Sequence, residues 1–356
     1  MPELVGHTLD LAEHAVGVGD AVELVPGAAA RLEHPGAVQD LRWEPGGARL
    51  ACAGDDGKVR LFPRDGVAAP QILDHGRRVL AVAWSPDGRQ LASAGAGPRV
   101  RVWSADGGLL RELPTGGRGD VLAVTWTPAG DLLAASIDDR LLLWPAGQAP
   151  ARPVHAPRVT LLGLAVRPGE RGPAAPLELV SDSGPARRWT LDLSEATPTL
   201  REAERLGDVN DLAWCDDGVL ALAREDRRVD LLAPDGTVDL RRTGAPVTGV
   251  ACGPSLVAGL SDGRIRGWAR HSGRDPAELA GHLAAVDPLA FSPDGELLAS
   301  ADAAGRLYLW PWTDAAVAEQ LRSATNLCLD ADERVTWLDE PHAQAAQTAA
   351  ACAPVN

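Results

Sequence analysis

The chain has 356 residues, which is ample for one large all-β domain with short extensions. Its formal net charge of −15, without any run of Lys or Arg, repels a phosphate backbone, so direct nucleic-acid binding is not expected. No apolar stretch reaches the roughly 18 residues of a membrane span, and the acidic N-terminus lacks the basic flank of a signal peptide. These features predict a cytoplasmic protein.

A leader at residues 1–27 precedes any repeated pattern. Leucines at positions 9 and 11 and the largely apolar stretch 21–25 predict one or two short strands in it. We expect this leader to pack on the edge of the domain that follows.

A unit of three short strands occupies residues 79–103. Its first strand, 79–84, ends on a tryptophan. The Ser-Pro-Asp-Gly turn at 85–88 follows, because Pro presets φ, Asp can bond its own backbone and Gly adopts positive φ. Residues 91–94 form a second strand, and 100–103 alternate apolar and charged side chains like a half-exposed strand. One such unit cannot bury its faces alone, so the fold depends on its recurrence.

The unit recurs seven times, with varying fidelity. Its last-strand anchors fall at positions 62, 103, 144, 189, 232, 268 and 310. A period of roughly 40–45 residues with four strands per unit predicts the blades of a seven-bladed β-propeller, an all-β fold. Most of the 11 tryptophans occupy repeat positions, so we interpret them as core rather than as a ligand cage; they lie at 43, 84, 103, 126, 144, 189, 214, 268 and 310.

In this spacing, and in strings such as Phe-Ser-Pro-Asp-Gly at 291–295 and Leu-Ala-Ser at 298–300, the chain resembles the WD40-repeat family. The resemblance covers residues from about 28 to 312. It implies a seven-bladed WD40 β-propeller at 28–312, with the leader at 1–27 and an extension at 313–356. It also implies that residues 29–33 pair with the blade ending at Trp310 and thereby close the ring, which removes a free sheet edge.

The same resemblance implies a hydrogen-bonded set that braces each blade: a His, a Ser on the second strand, an Asp in the next turn and the Trp. The Asp is expected six residues before the Trp position, where three blades have Gly97, Ser183 and Ala304 instead. No blade is therefore expected to hold all four members. The residues given this structural role are His34, Asp56, His75, Ser93, Trp103, Asp138, Trp144, Asp226, Asp262, Trp268, His282, Ser300 and Trp310.

Three regions depart from the regular pattern. Residues 169–176 are rich in Gly and Pro, so we expect a protruding loop between the first two strands of blade four. Blade six is the shortest and has Gly267 before its Trp, so we expect it to be the least well packed. Residues 313–356 predict a small helical extension, similar to those that follow WD40 arrays in bacterial signalling and defence-type proteins. We expect it to cap the propeller rim, a role that is compatible with its also being a docking point.

The five cysteines suggest ordinary buried thiols rather than a metal site. Cys52, Cys215 and Cys252 lie in or beside predicted strands. Cys328 and Cys352 lie in the extension at a spacing that fits no CxxC pattern, and a disulfide between them is the alternative to two thiols.

No catalytic motif is present. The sequence contains no GxSxG nucleophile elbow, no P-loop and no HExxH. Paired carboxylates such as Asp55 and Asp56 lie in predicted turns, where Asp is a turn former. We therefore predict a non-enzymatic protein without a cofactor or a metal.

A propeller without catalytic residues is expected to display a binding surface. The WD40 resemblance places that surface on the face formed by the loops that lead into each blade and by the turns after the second strands. Acids prevail there, which predicts a protein partner with a basic segment. The candidate residues are Gln39, Asp55, Asp120, Asp182, Asp208, Asn210, Glu225, Thr248 and Asp287.

Three functions remain open. The first is a non-catalytic interaction scaffold or sensor, as a subunit of a bacterial multicomponent signalling or defence system. The second is an enzyme or small-molecule binder that uses the central channel. Against it, the first strands read there as apolar, at Val82, Val124, Leu164, Leu212, Val250 and Leu289. The third is an assembly component with Trp312 and Trp337 as exposed anchors.

Overall fold

The computed structural model describes residues 30–146, 151–156, 161, 163–167, 177–181, 185–194, 197–269 and 277–312. These residues form seven four-stranded antiparallel sheets. The chain is therefore a seven-bladed β-propeller, as predicted. The leader, the loop at 169–176 and the helical extension that the sequence predicts lie outside the described residues.

The strands follow one another blade by blade. Blade 1 comprises β2 (Val38–Trp43), β3 (Arg49–Gly54), β4 (Lys58–Pro63) and β5 (Gln71–Asp74). Blade 2 comprises β6 (Val79–Trp84), β7 (Gln90–Gly95), β8 (Arg99–Ser104) and β9 (Leu109–Pro114). Blade 3 comprises β10 (Val121–Trp126), β11 (Leu132–Ser136), β12 (Arg140–Trp144) and β13 (Arg152–Val154). Blade 4 comprises β14 (Ala165–Val166), β15 (Leu177–Ser181), β16 (Ala186–Asp192) and β17 (Thr199–Gly207).

The remaining blades repeat this order, and the last borrows a strand. Blade 5 comprises β18 (Asp211–Trp214), β19 (Leu220–Arg224), β20 (Arg228–Leu232) and β21 (Val238–Arg242). Blade 6 comprises β22 (Val247–Cys252), β23 (Ser255–Leu260), β24 (Ile265–Ala269) and β25 (Ala277–Leu279). Blade 7 comprises β26 (Val286–Phe291), β27 (Leu297–Asp302), β28 (Arg306–Pro311) and β1 (Ala30–Glu33).

The ring is closed by β1, which pairs antiparallel with β28. Leu32 lies opposite Leu307 and is buried in the core shared by blades 7 and 1. The predicted closure by residues 29–33 is thus confirmed. An open edge on β28 would otherwise present unpaired backbone groups to a second chain.

We expect Leu32→Asp to lower the free energy of unfolding by about 3 kcal/mol, because it places a carboxylate at a core position. Urea unfolding followed by tryptophan fluorescence measures the change. The control is Glu33→Ala on the exposed face of the same strand, which we expect to change stability by less than about 0.5 kcal/mol. Equal effects of the two substitutions would contradict closure by β1.

The hydrophobic core lies between neighbouring blades. One cluster, for example, joins Val59 and Leu61 of blade 1 to Val82, Trp84 and Leu91 of blade 2. Apolar residues alternate along the inner strands, so each blade presents one face to either neighbour. Packing across each seam between blades, rather than within a blade, therefore holds the ring together.

Four of these seams carry the same polar link. The tryptophan at the end of the first strand donates its indole N–H to a first-strand carbonyl of the preceding blade. The bonds are Trp43 to Ala290 (3.1 Å), Trp84 to Arg42 (3.2 Å), Trp126 to Ala83 (3.0 Å) and Trp214 to Ala165 (3.3 Å). Val166, Cys252 and Phe291 hold this position in the other three blades.

The prediction of free thiols at Cys215 and Cys252 is wrong, because the two form a disulfide. They are separated by 37 residues, close to one repeat period, and their Cα atoms lie 5.0 Å apart. Residues about one period apart hold similar positions in neighbouring blades. The end of the first strand in blade 6 therefore lies beside the turn after the first strand in blade 5. Cys52 is a buried free thiol, and Cys328 and Cys352 lie outside the described residues.

Trp312 packs over the shortest blade. Its ring fills the space above Gly267, where a Cβ would collide with it, and lies 5.3 Å from the ring of Phe291. Trp312 is therefore half-buried against the core of blades 6 and 7, which removes the main support for an exposed anchor there. The other expected anchor, Trp337, lies outside the described residues.

Candidate interaction face and central channel

Blade 7 holds a complete bracing set. His282 Nε2 lies 2.7 Å from Ser300 Oγ, which also accepts the indole N–H of Trp310 at 2.7 Å. The fourth member is Asp302, whose Oδ2 lies 3.3 Å from His282 Nδ1, within ion-pair range but without hydrogen-bond alignment. A proton on Nδ1, facing this carboxylate, leaves Nε2 to accept the Ser300 hydroxyl.

The expectation that no blade has all four members was therefore wrong. Asp302 lies eight residues before the Trp, two positions from Ala304, where the acid was sought. It is fully buried, and its Oδ1 accepts the backbone N–H groups of Ala304 and Arg306, each at 3.0 Å. An acid at the end of the second strand thus organises the turn as an acid within the turn would.

Blade 2 has three of the four members. His75 Nδ1 lies 2.8 Å from Ser93 Oγ, and Trp103 donates to the same oxygen at 2.8 Å. Gly97 stands in the Asp position, and its N–H donates to Asp120 at 2.8 Å. An acid from the loop before blade 3 therefore caps the turn of blade 2.

Blade 1 replaces the Ser and the Trp of the set with an arginine. Arg60 lies between His34 Nε2, at 3.0 Å, and Asp56 Oδ2, at 2.6 Å. Cys52 and Phe62 occupy the Ser and Trp positions, and both are buried. The guanidinium links the His and Asp that were expected to meet through a serine.

Blades 3 and 4 use a serine two positions later than expected. In blade 3 the hydroxyl of Ser136 donates to Asp138, and Trp144 is buried in the adjoining core. In blade 4 Trp189 donates its indole N–H to Ser181 at 2.9 Å. Both serines lie eight residues before the Trp position, on the same face of the second strand as the expected one, because side chains alternate with a period of two.

In blades 5 and 6 the expected acids brace nothing inside the blade. Asp226 pairs with Arg228 at 3.2 Å, and Asp262 pairs with Arg264 at 2.6 Å, in exposed turns. Trp268 is buried beneath the guanidinium of Arg266, whose carbon lies 5.9 Å from the ring centre. The assignment of Asp226 and Asp262 to the bracing set was therefore wrong.

The buried imidazoles predict a loss of stability in mild acid. Burial lowers the pKa of His75 and the pKa of His282 to about 4 each. An unfolded His titrates near 6.5. Between these values the unfolded chain binds protons that the folded chain does not, so stability present above pH 6.5 is lost as the pH falls to about 4. We expect a loss on the order of 3 kcal/mol for each imidazole.

Urea unfolding at several pH values between 7 and 4 measures this loss. His75→Gln should flatten the pH dependence by about one proton, because it removes one of the buried imidazoles, among which His34 also has a pKa lowered by burial. The control is His155→Gln, for which burial is lower. A His75→Gln variant with the slope of the unsubstituted protein would contradict the assignment.

The residues at the mouth of the central channel are placed there by β-bulges. The first strand is interrupted after its first residue in blades 1, 2, 3, 6 and 7. A bulge leaves one residue out of the ladder and re-aims its side chain. The residues concerned are Gln39, Leu80, Leu122, Thr248 and Asp287. Asn210 stands at the matching position before β18 in blade 5.

This set, which we call the bulge ring, has a polar side and an apolar side. The channel beside it encloses about 510 Å³ and is lined by Gln39, Asn210, Asp287, Leu80 and Leu122 among others. Polar members come from blades 5, 6, 7 and 1, and apolar members from blades 2 and 3. The structure thus brings together four of the predicted partner-binding residues, with Thr248 donating its hydroxyl to Val286 O at 2.7 Å beside the cavity.

The other predicted acids lie further out and are dispersed. Asp55 pairs with Arg78 at 2.6 Å, and Asp120 holds the blade-2 turn. Asp208 accepts Arg224 through its backbone carbonyl at 2.9 Å, and Glu225 is exposed in the turn between β19 and β20. Asp182 lies outside the described residues. These acids surround the bulge ring rather than form one cluster with it.

The expectation of an apolar channel holds only in part. Five of the six first-strand residues named for it line the cavity: Val124, Leu164, Leu212, Val250 and Leu289. Val82 is buried between blades 1 and 2 instead. The cavity is also lined by polar residues that the sequence analysis missed, Asp40, Arg42 and Asp211. The signal was available, because Val-Gln-Asp-Leu-Arg-Trp of β2 carries three polar residues where Val-Leu-Ala-Val-Ala-Trp of β6 has none.

The two acids of this set, Asp40 and Asp211, each hydrogen-bond to a neighbouring blade. Asp40 Oδ2 accepts the N–H of Val82 at 3.0 Å, and Asp211 Oδ2 accepts the N–H of Val250 at 2.7 Å. Each bond links the first strand of one blade to that of the next. Arg42 lies 3.2 Å from Asp40 Oδ1, with its side chain 57% exposed. It is therefore the cation most available to a molecule in the channel.

Two exposed apolar side chains lie on the same face as the bulge ring. Leu283, in the loop that leads into blade 7, is 77% exposed, and Ile137, in the turn between β11 and β12, is 52% exposed. Sequence reasoning missed both because it searched this face for acids. Apolar residues on a polar face are typical contact points for a protein partner.

Among the described residues, no cluster of His, Cys, Asp or Glu has the geometry of a metal site. The same residues include no long apolar helix of the kind that crosses a membrane. The family model for the WD domain, G-beta repeat, matches residues 29–62, 70–104 and 273–311. Each match spans the first three strands of blade 1, 2 or 7 and includes the fourth strand of the preceding blade. No curated protein matches the chain.

Proposed function

We propose, from the premise that this chain is a WD40-repeat β-propeller, that it is a non-catalytic scaffold or sensor whose bulge ring receives a basic segment of a protein partner. WD40 propellers are commonly protein-interaction scaffolds. The observation that carries the proposal is the set of bulges, which turns side chains out of the ladder at the channel mouth in five blades.

The chemistry of the ring selects the partner. Asp287 and the amides of Gln39 and Asn210 suit a Lys or Arg side chain, and Leu80 and Leu122 suit an apolar neighbour across the opening. A partner segment with a cation and an apolar side chain a few residues apart therefore fits both sides. The net charge of −15 would speed its approach at low salt.

The role of such a scaffold is the second part of the proposal. We place it as a subunit of a bacterial multicomponent signalling or defence system in the cytoplasm, with any catalytic activity on a separate chain. The disulfide between Cys215 and Cys252 counts against that compartment, because disulfides rarely persist in reducing surroundings.

A small-molecule ligand is the alternative function. Arg42 and Asp40 supply opposite charges inside a cavity whose volume falls in the range of ligand pockets, about 300–1,000 Å³. In that case the exposed guanidinium of Arg42 would bind an anionic group. A small-molecule function requires no protein partner on the face that carries the bulge ring.

Affinity capture of the tagged protein from its native lysate at about 0.15 M salt tests the first proposal. We expect a stoichiometric partner that Asp287→Lys loses and that higher salt weakens. The matched control is Asp235→Lys, an exposed acid in the turn between β20 and β21 at the opposite end of the blades. Synthetic peptides from basic segments of the partner should then bind the purified protein.

Two outcomes would overturn the proposal. Recovery of the protein alone would turn attention to channel ligands, to be screened by thermal shift with Arg42→Ala as the control. Equal loss of the partner in Asp287→Lys and Asp235→Lys would show general charge attraction rather than docking at the bulge ring.

A further inference from the structure

The disulfide between Cys215 and Cys252 stands where other seams carry an indole bridge. Cys252 ends β22, at the position of Trp43, Trp84, Trp126 and Trp214 in their blades. The covalent bond joins it to the turn after β18 in blade 5. Among the described seams, this is the one in which a disulfide takes the place of the indole hydrogen bond between blades.

The two cysteines differ in their exposure to solvent. Cys215 is fully buried, with no exposed surface. Cys252 is partly exposed and lines the central channel. A small molecule that enters the channel therefore meets Cys252 first, and thiol–disulfide exchange depends on which sulfur can be attacked.

We propose that Cys252 is a thiol-exchange site, at which a small dithiol entering the central channel attacks the bond that joins blades 5 and 6. The attacking thiolate forms a new S–S bond to Cys252 and displaces Cys215 as a thiolate, which takes up a proton. The second thiol of the reagent then attacks the reagent sulfur that is bonded to Cys252. This releases Cys252 as a thiolate, which takes up a proton. The reagent leaves as a cyclic disulfide, and the protein has gained two electrons and two protons.

The seam keeps other links after this exchange. Asn210 Nδ2 donates to Val247 O at 2.7 Å, and Asp211 accepts from Val250 at 2.7 Å, both nearer the channel mouth on the same two strands. Cleavage therefore loosens the seam at the end away from the bulge ring without separating the blades. The inference concerns this end of the channel and does not depend on what the bulge ring binds.

A pair of single variants tests the asymmetry. In Cys215→Ser the remaining Cys252 should form a mixed disulfide with an aromatic disulfide reagent while the protein is folded. In Cys252→Ser the buried Cys215 should react at least about tenfold more slowly, because it needs local opening. Peptide mass spectrometry resolves these sites from Cys328 and Cys352. The buried Cys52, whose thiol pKa is raised by burial, is the internal control for opening.

The unsubstituted protein provides the second measurement. Dithiothreitol followed by alkylation under native conditions should label Cys252 first, then Cys215 more slowly as cleavage loosens the seam, and should leave Cys52 unlabelled; it should lower the Tm by about 5–10 °C. Cys215→Ala/Cys252→Ala should start at the lower Tm and not respond to the reductant. Equal reaction of the two single variants, or labelling of the pair only together with Cys52, would overturn the proposal.

Discussion

Asp302→Ala is expected to lower the free energy of unfolding by about 3–5 kcal/mol. The substitution leaves the backbone N–H groups of Ala304 and Arg306 without their acceptor and removes the carboxylate that faces His282. The Asp302 side chain has no solvent exposure, so water has little access to its oxygen positions to replace the lost bonds. Urea unfolding at pH 7, without reductant, measures the loss.

The matched control for this effect is Asp262→Ala in blade 6. Asp262 also bonds an arginine two residues on, with 2.6 Å between the charged atoms, but it lies in an exposed turn. We expect it to cost less than about 1 kcal/mol, as exposed ion pairs usually do. If both substitutions cost the same, burial of Asp302 is not what makes it important.

Trp189→Ala is expected to destabilise the protein by about 3–5 kcal/mol, because it opens a large cavity at a fully buried position. Trp189 packs among residues of blades 3 and 4, including Leu133, Leu179 and Leu200. The loss should be a whole-protein effect rather than a local one, since this cluster joins two blades. Unfolding followed by circular dichroism and unfolding followed by tryptophan fluorescence should give the same transition midpoint.

Trp189→Phe separates the packing from the hydrogen bond. Phe keeps much of the apolar surface but cannot donate to Ser181, so we expect a loss of about 1–2 kcal/mol. Ser181→Ala should cost a similar amount and should add little to Trp189→Phe, because the two variants break the same bond. Additive losses would show that Ser181 acts through another contact.

The blade count and the closure were predictable because both depend on repeats. The anchors at Trp103 and Trp144 lie one period apart, and Trp310 lies four periods after Trp144. An inner strand that alternates apolar residues cannot be buried without neighbours. The pairing of β1 with β28 then follows from a ring that would otherwise leave an edge. Periodicity carries this information even where single motifs have diverged.

The bracing residues were predicted less well, because a fixed offset was assumed. Strand side chains alternate with a period of two, so a residue two positions away reaches the same face. Ser136, Ser181 and Asp302 exploit this, and each was missed at its actual position. An acid or hydroxyl sought at either of two offsets would have found all three.

The polar part of the channel lining was missed for a related reason. A one-residue bulge changes which side chains of the first strand point inward, and nothing in the letters of the sequence marks the bulge itself. Arg42 and Asp40 were therefore assigned no place, and Val82 was put in the channel rather than in the seam. The disulfide was missed because its two cysteines come from different repeats and are brought together only by the ring.

The closing strand has a consequence for how the protein can be made. Leu32 and Leu307 lie side by side, although nearly the whole described chain separates them. During synthesis β1 is the first strand of blade 7 to emerge, and it cannot pair until β28, the last of the described strands, has been made. A chain whose synthesis stops before β28 therefore has an open ring. Its unpaired strand edges are accessible to proteases and chaperones.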